Sequence, residues 1–146
     1  MGIEIEQTKI IRADPEVVWD FLVRTETWKS WWPDCIEALR DTDRQLEEGS
    51  RLELVLQPRI TKLTLRPIVD LFTDGKTLSL THRSALIQAT AAWYLSERPD
   101  ATLVKGELVF NGLLSFLITI AQQSSAVRAS FQRNLSGLKK AAERMV

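Results

Sequence analysis

Few side chains in this sequence can move a proton or hold a polar ligand, and His82 is the first of them. It is the only histidine and follows Leu78 and Leu80 at the two-residue spacing of a strand, so alternation turns it to the side those leucines face. An imidazole among apolar neighbours can donate a hydrogen bond to a carbonyl or act as acid or base near neutral pH. The alternative is a neutral core histidine or a strand end in solvent. Tyr94, the only tyrosine, sits between Trp93 and Leu95 and alternates outward. Arg59, Arg66 and Arg83 lie on or near strands, where an inward guanidinium would hold a carboxylate or polarise a carbonyl. Alternation puts Arg66 and Arg83 on the solvent face, and Arg128 beside Val127 can reach a sheet edge. One histidine and one cysteine make no metal-ligand set, so neither a metal nor another cofactor is expected. No nucleophile–base pair and no paired carboxylates fall together by spacing.

The elements that must position these groups read clearly. Residues 3–12 are β-branched and partly alternating, a first strand. Asp14 as N-cap and Pro15 at the first helical position open a helix over about 15–24, burying Val18, Phe21 and Leu22. Thr25 or Thr27 caps a second short helix through Trp28, Trp31 and Trp32, which Pro33 stops. One of these tryptophans is expected in the core and another at a pocket mouth. From Asp34 to Phe110 the period becomes two, with strands over 35–40, through Leu52, Leu54 and Leu56, through Leu63, Leu65, Val69 and Leu71, from Leu78 to Arg83, over 86–96 and over 102–110. Asp74-Gly75 marks a hairpin needing positive φ at both central positions. From Leu113 to Met145 apolar residues recur at helical spacing, predicting one helix of about 32 residues, roughly 48 Å long.

The chain has 146 residues, 45% of them hydrophobic, which fits one domain with a sizeable core. Its 19 basic and 19 acidic residues balance, so charge gives no argument for nucleic acid, where a basic surplus is expected. The lone Cys35 excludes an intrachain disulfide. The first residues carry no signal-peptide pattern and no run approaches a membrane span, which predicts a cytoplasmic protein.

Three stretches resemble one superfamily. Ala13-Asp14-Pro15-Glu16-Val17-Val18-Trp19-Asp20-Phe21-Leu22, Trp28-Lys29-Ser30-Trp31-Trp32-Pro33 and Asn134-Leu135-Ser136-Gly137-Leu138-Lys139-Lys140-Ala141-Ala142-Glu143 are similar to the opening, second-helix and closing patterns of the SRPBCC superfamily, which holds START domains, birch-pollen-allergen-like proteins and polyketide cyclases/dehydrases. The resemblance runs to the polyketide cyclase/dehydrase and lipid-transport-like members. It implies an α+β helix-grip fold: two short helices after the first strand, and a curved antiparallel sheet wrapped around a long C-terminal helix. It also implies a cavity between sheet and helix that takes a hydrophobic molecule, lipid- or polyketide-like. The alternative is a cyclase, aromatase or dehydratase in the same cavity, with His82 the catalytic candidate and no family catalytic residue carried over. A protein-interaction module is a third, weaker reading.

Alternation assigns the cavity wall to Leu54, Leu56, Leu63, Leu65, Leu78, Leu80, His82, Ala89, Ala91, Trp93, Leu95, Val104, Gly106, Leu108 and Phe110. The helix adds Leu117, Ile120, Ser124, Val127 and Phe131. Ala89, Ala91 and Gly106 are expected to leave volume, unless Trp93 and Phe131 fill it. An empty cavity of 300–1,000 Å³ would cost at least on the order of 7 kcal/mol, a large share of a domain's roughly 5–15 kcal/mol. Such a space should therefore hold ligand or water, or partly collapse; His82, Ser124 and Thr102 are polar partners for water. Finally, the stretch from Leu113 to Ala121 is apolar on every side. It is either buried by strand ends and loops, or an exposed portal, a homodimer contact or a transient membrane-docking patch.

Overall fold

The computed structural model describes residues 2–57, 60, 62–113 and 122–145. β1 (Gly2–Ile11) leads to α1 (Pro15–Val23), a 3-10 turn (Thr25–Thr27) and the single-turn α2 (Trp28–Trp31). Then come β2 (Cys35–Arg40), β3 (Leu52–Leu56), β4 (Leu63–Leu65), β5 (Ile68–Thr73), β6 (Thr77–Arg83), β7 (Ile87–Arg98), β8 (Ala101–Gly112) and α3 (Ser124–Glu143). One antiparallel sheet runs β1-β8-β7-β6-β5 and the other β2-β3-β4. They are stitched by an Arg51–Ile68 bridge and by the Leu52 and Val69 amides, which donate to the Pro67 and Ser50 carbonyls. The result is an α+β helix-grip fold, a curved antiparallel sheet holding a C-terminal helix.

Local chemistry explains the helices. Pro15 stands at the start of α1 with its φ preset, and the Asp14 carbonyl, not its side chain, accepts the Val17 and Val18 amides. Val18 and Leu22 vanish into the core, and Trp19 ties α1 to the β5–β6 turn through Nε1–H to Asp74 Oδ1 at 3.0 Å. α2 ends at an extended Trp32, the conformation a following proline favours. α3 buries Phe131, Asn134, Leu135, Leu138 and Ala142, a stripe at helical spacing packed against β1, β8, α1 and α2.

Several expectations are corrected. The strand predicted through Leu63, Leu65, Val69 and Leu71 is two strands in two sheets, because the chain crosses between them at Arg66 and buried Pro67, which has no amide hydrogen for a ladder. Leu63, placed on the inner wall by alternation, is exposed near the tip of the β3–β4 hairpin. The Asp74-Gly75 turn has positive φ at Gly75 alone, because three residues separate the paired Thr73 and Thr77 and the turn is not the mirror-image type. The helix expected from Leu113 is seen from Ser124, with Leu113 instead hydrogen-bonded by its amide to the Leu86 carbonyl. Residues 114–121 lie outside the described residues, and with them Leu117 and Ile120. Thr102 is buried on the inner face, but at the far end of β8 from the row of His82, where its hydroxyl is taken up by the Ala13 carbonyl at 2.8 Å. All three clustered tryptophans, Trp28, Trp31 and Trp32, are buried, so none stands at a mouth.

Candidate functional site

The inner face of the five-stranded sheet is laid out in rows by strand register. One row is Gln7, Gly106, Trp93, Leu78 and Phe72. Here the interior is filled. A Cβ on Gly106 would lie 2.7 Å from two ring atoms of Phe131 and 3.2 Å from Leu135, so the glycine is a seat for the Phe131 ring and leaves no volume. The Phe131 ring meets Trp93 at 6.3 Å between centroids, and Trp93 meets Trp32 edge-on at 6.0 Å. Trp93 Nε1–H donates to Asn134 Oδ1 at 3.0 Å.

Toward the start of β7 the packing loosens row by row. The next row is Ile5, Leu108, Ala91, Leu80 and Val69, with Leu108 and Ala91 only half-buried. The row beyond, Ile3, Phe110, Ala89 and His82, is half-buried throughout. Leu56, Leu65 and Val127 are half-buried as well, while Leu54 is buried and Ser124 opens α3. His82 accepts the Arg66 amide hydrogen at Nδ1, 3.1 Å away. A neutral imidazole accepting at Nδ1 carries its proton at Nε2, so that end of His82, which has no partner among the described residues, is a donor. Tyr94 lies on the outer face with Lys105 Nζ 5.6 Å from its ring centroid, and Arg83 is exposed, as is Arg66 beside Glu53. Arg59 lies outside the described residues.

α3 is held from both sides. Gln7 Nε2–H donates to the Arg128 carbonyl at 3.2 Å. Opposite, the buried Asp34 accepts from the Ser130 hydroxyl and from Arg133 Nη2 at 2.9 Å and Nε at 3.3 Å. Sequence reasoning missed Gln7, Asp34, Ser130, Arg133 and the role of Asn134. Gln7 alone had a local signal, its alternation with Ile5. The other ends of these two amides, Gln7 Oε1 and Asn134 Nδ2, are buried and have no hydrogen-bond partner among the described residues. Such groups cost about 1–3 kcal/mol each, and their place beside Phe131 and Trp93 marks the floor as the polar part of the interior. Close approach of α3 to α2 depends on Gly137, where a Cβ would lie 1.7 Å from the Trp31 carbonyl oxygen.

The remaining features are structural. Cys35 is buried, its thiol donating to the Glu37 carbonyl at 3.6 Å. Burial, helped by the Glu37 charge, pushes its pKa up to about 11. Iodoacetamide at about pH 8 should therefore label the native thiol at least about 100-fold more slowly than the unfolded one. Because the folded state favours the protonated thiol, this contribution to stability should fade as pH rises from its ordinary 9.0 toward 11. Equal labelling rates would show that Cys35 is not enclosed. Among the described residues no His, Cys, Asp and Glu side chains gather as a metal site, and no helix is long and apolar enough to cross a membrane.

The sequence matches the profile of the family described as polyketide cyclase/dehydrase and lipid transport over residues 2–143. Comparison with curated protein sequences gives no match. Among solved structures, the di-domain ARO/CYC StfQ from the steffimycin biosynthetic pathway superposes with a TM-score of 0.81 at 12% identity, over 99% of this chain and 52% of that one. This chain therefore spans about half of that protein's length. Major latex-like protein 151 from Panax ginseng gives 0.81 at 7% identity over 97% of each chain. A START superfamily protein from Mycobacterium smegmatis gives 0.75 at 13% identity, over 98% of this chain and 99% of that one. At such identities the likeness is one of fold. With the profile spanning nearly the whole sequence on this fold, the chain belongs to the polyketide cyclase/dehydrase and lipid transport family of the SRPBCC superfamily.

Proposed function

We propose that residues 1–146 act as one domain that binds a hydrophobic small molecule, lipid- or polyketide-like, between the sheet and α3. The observation that carries this reading is the gradient of burial along the inner face, from the filled row at Trp93 to the half-buried row at His82. The proposed wall is Leu56, Leu65, Leu80, His82, Ala91, Leu108, Phe110 and Val127, above a floor of Leu54, Trp93, Gly106 and Phe131. Leu117, Ile120 and Ser124 belong to the same proposal from their helical spacing. A ligand burying on the order of 300 Å² of apolar surface would gain roughly 7 kcal/mol before the cost of immobilising it. His82 Nε2–H would add one donor for a ligand oxygen.

Native mass spectrometry of freshly purified protein tests this. An apolar molecule should co-purify, and in His82→Ala it should remain with affinity reduced no more than about tenfold, the worth of one hydrogen bond. Protein that neither retains nor takes up any apolar molecule would refute the reading. A second reading, a cyclase, aromatase or dehydratase in the same cavity, draws support from the ARO/CYC likeness and from the fixed His82 donor, which would polarise a carbonyl. Turnover of a polyketide substrate that disappears in His82→Ala while affinity persists would favour it.

A further inference from the structure

The balanced net charge conceals a segregation between the two ends of the sheet. No acidic residue occurs between Glu53 and Asp70, between Asp74 and Glu97, or between Glu107 and Glu143. These intervals contain the β3–β4 tip, the β6–β7 turn, the end of β8 and the start of α3, which all lie at the end where the inner face loosens. Exposed Lys62, Arg83 and Arg128 belong to that end. The opposite end, over residues 41–50, 74–76 and 97–100, carries Asp41, Asp43, Glu47, Glu48, Asp74, Glu97 and Asp100 against Arg44, Lys76 and Arg98. The acids nearest the basic end are Asp34, paired with Arg133, Glu53, paired with Arg66, Asp70, which accepts the Thr81 hydroxyl, and Glu4 and Glu37; all stand on strands or beside α2, none on the tips themselves.

Large apolar side chains stand out from the same tips. Ile60 is 90% exposed, Leu113 53%, Leu86 51% and Leu63 46%. Leu86 and Leu113 are neighbours, since the Leu113 amide donates to the Leu86 carbonyl at 3.1 Å. Exposed apolar side chains and cations on tips whose own sequence carries no carboxylate match the interface of an anionic bilayer, where apolar groups enter the headgroup layer and each cation adds roughly fivefold to binding. A second copy meeting this end symmetrically would set Lys62, Arg83 and Arg128 against their own duplicates.

We propose that this end of the molecule docks on anionic lipid bilayers, with Leu86 and Leu113 entering the interface and Lys62, Arg83 and Arg128 facing the headgroups. The inference goes beyond ligand binding and holds whatever the interior contains. Co-sedimentation with phosphatidylcholine vesicles, with and without about 30% phosphatidylserine, tests it. Binding should be at least roughly tenfold tighter with phosphatidylserine, and raising salt from about 0.1 M to about 0.5 M should abolish it. The double variants Leu86→Glu/Leu113→Glu and Lys62→Glu/Arg83→Glu should each weaken binding by roughly tenfold or more, with unchanged thermal unfolding because these side chains are exposed. Equal binding to both vesicle types, or to neither, would overturn the proposal. So would sedimentation velocity showing a dimer that Leu86→Glu/Leu113→Glu dissociates, which would make a second copy the occupant.

Discussion

Replacing Gly137 with alanine should destabilise the protein by roughly 3 kcal/mol, lowering the unfolding midpoint by about 10 °C. Helix propensity alone predicts the reverse, since alanine in a helix interior is favoured over glycine by about 1 kcal/mol. Geometry decides between them. The new methyl would sit 1.7 Å from the Trp31 carbonyl oxygen and 3.3 Å from the Pro33 ring, and backbone cannot swing aside as a side chain can. α3 would have to retreat from α2, loosening Leu138 and the tryptophan cluster together. Urea unfolding of Gly137→Ala beside Ser136→Ala, a neighbouring half-buried position, isolates the effect. A Gly137→Ala protein as stable as the parent would mean that α3 and α2 are not in this contact.

That glycine shows where the sequence was readable and where it was not. The strands are legible because a one-sided sheet writes its burial into a period of two, and the start of α1 is legible because Pro15 can only stand at a helix's first turn. Helical spacing from Phe131 to Ala142 likewise names the buried stripe of α3. Contacts between distant segments leave no such local mark. Asp34 meets Ser130 and Arg133 across separations of 96 and 99 residues, and nothing in either segment announces the other. Gly106 shows the same limit: a small residue on an inner face reads either as room or as space that Phe131 fills, and only the packing of another element decides for the second. Splitting of the strand at Pro67 was visible in principle, because a proline within a strand pattern argues against an unbroken ladder. The candidate site is thus legible in its wall, which alternation gives, and illegible in its floor, which tertiary packing makes.

The same distinction sets the second large effect, on ligand occupancy. Ala91→Phe should abolish retention of a co-purified apolar molecule, weakening binding by at least about 100-fold, because a ring projecting from the half-buried row would occupy the ligand's place. Its cost in stability should stay under about 1 kcal/mol, since the side chain grows toward the loosely packed side. Gly106→Ala, one strand over and one row deeper, adds far less volume yet should cost about 1–3 kcal/mol. Its Cβ would lie 2.7 Å from Phe131 and push that ring off its seat toward Trp93. Native mass spectrometry and urea unfolding of both variants separate the two halves of the interior. If Ala91→Phe retains ligand, or is as destabilised as Gly106→Ala, then the row at Ala91 is as full as the row at Trp93, and a cavity between sheet and helix is ruled out there.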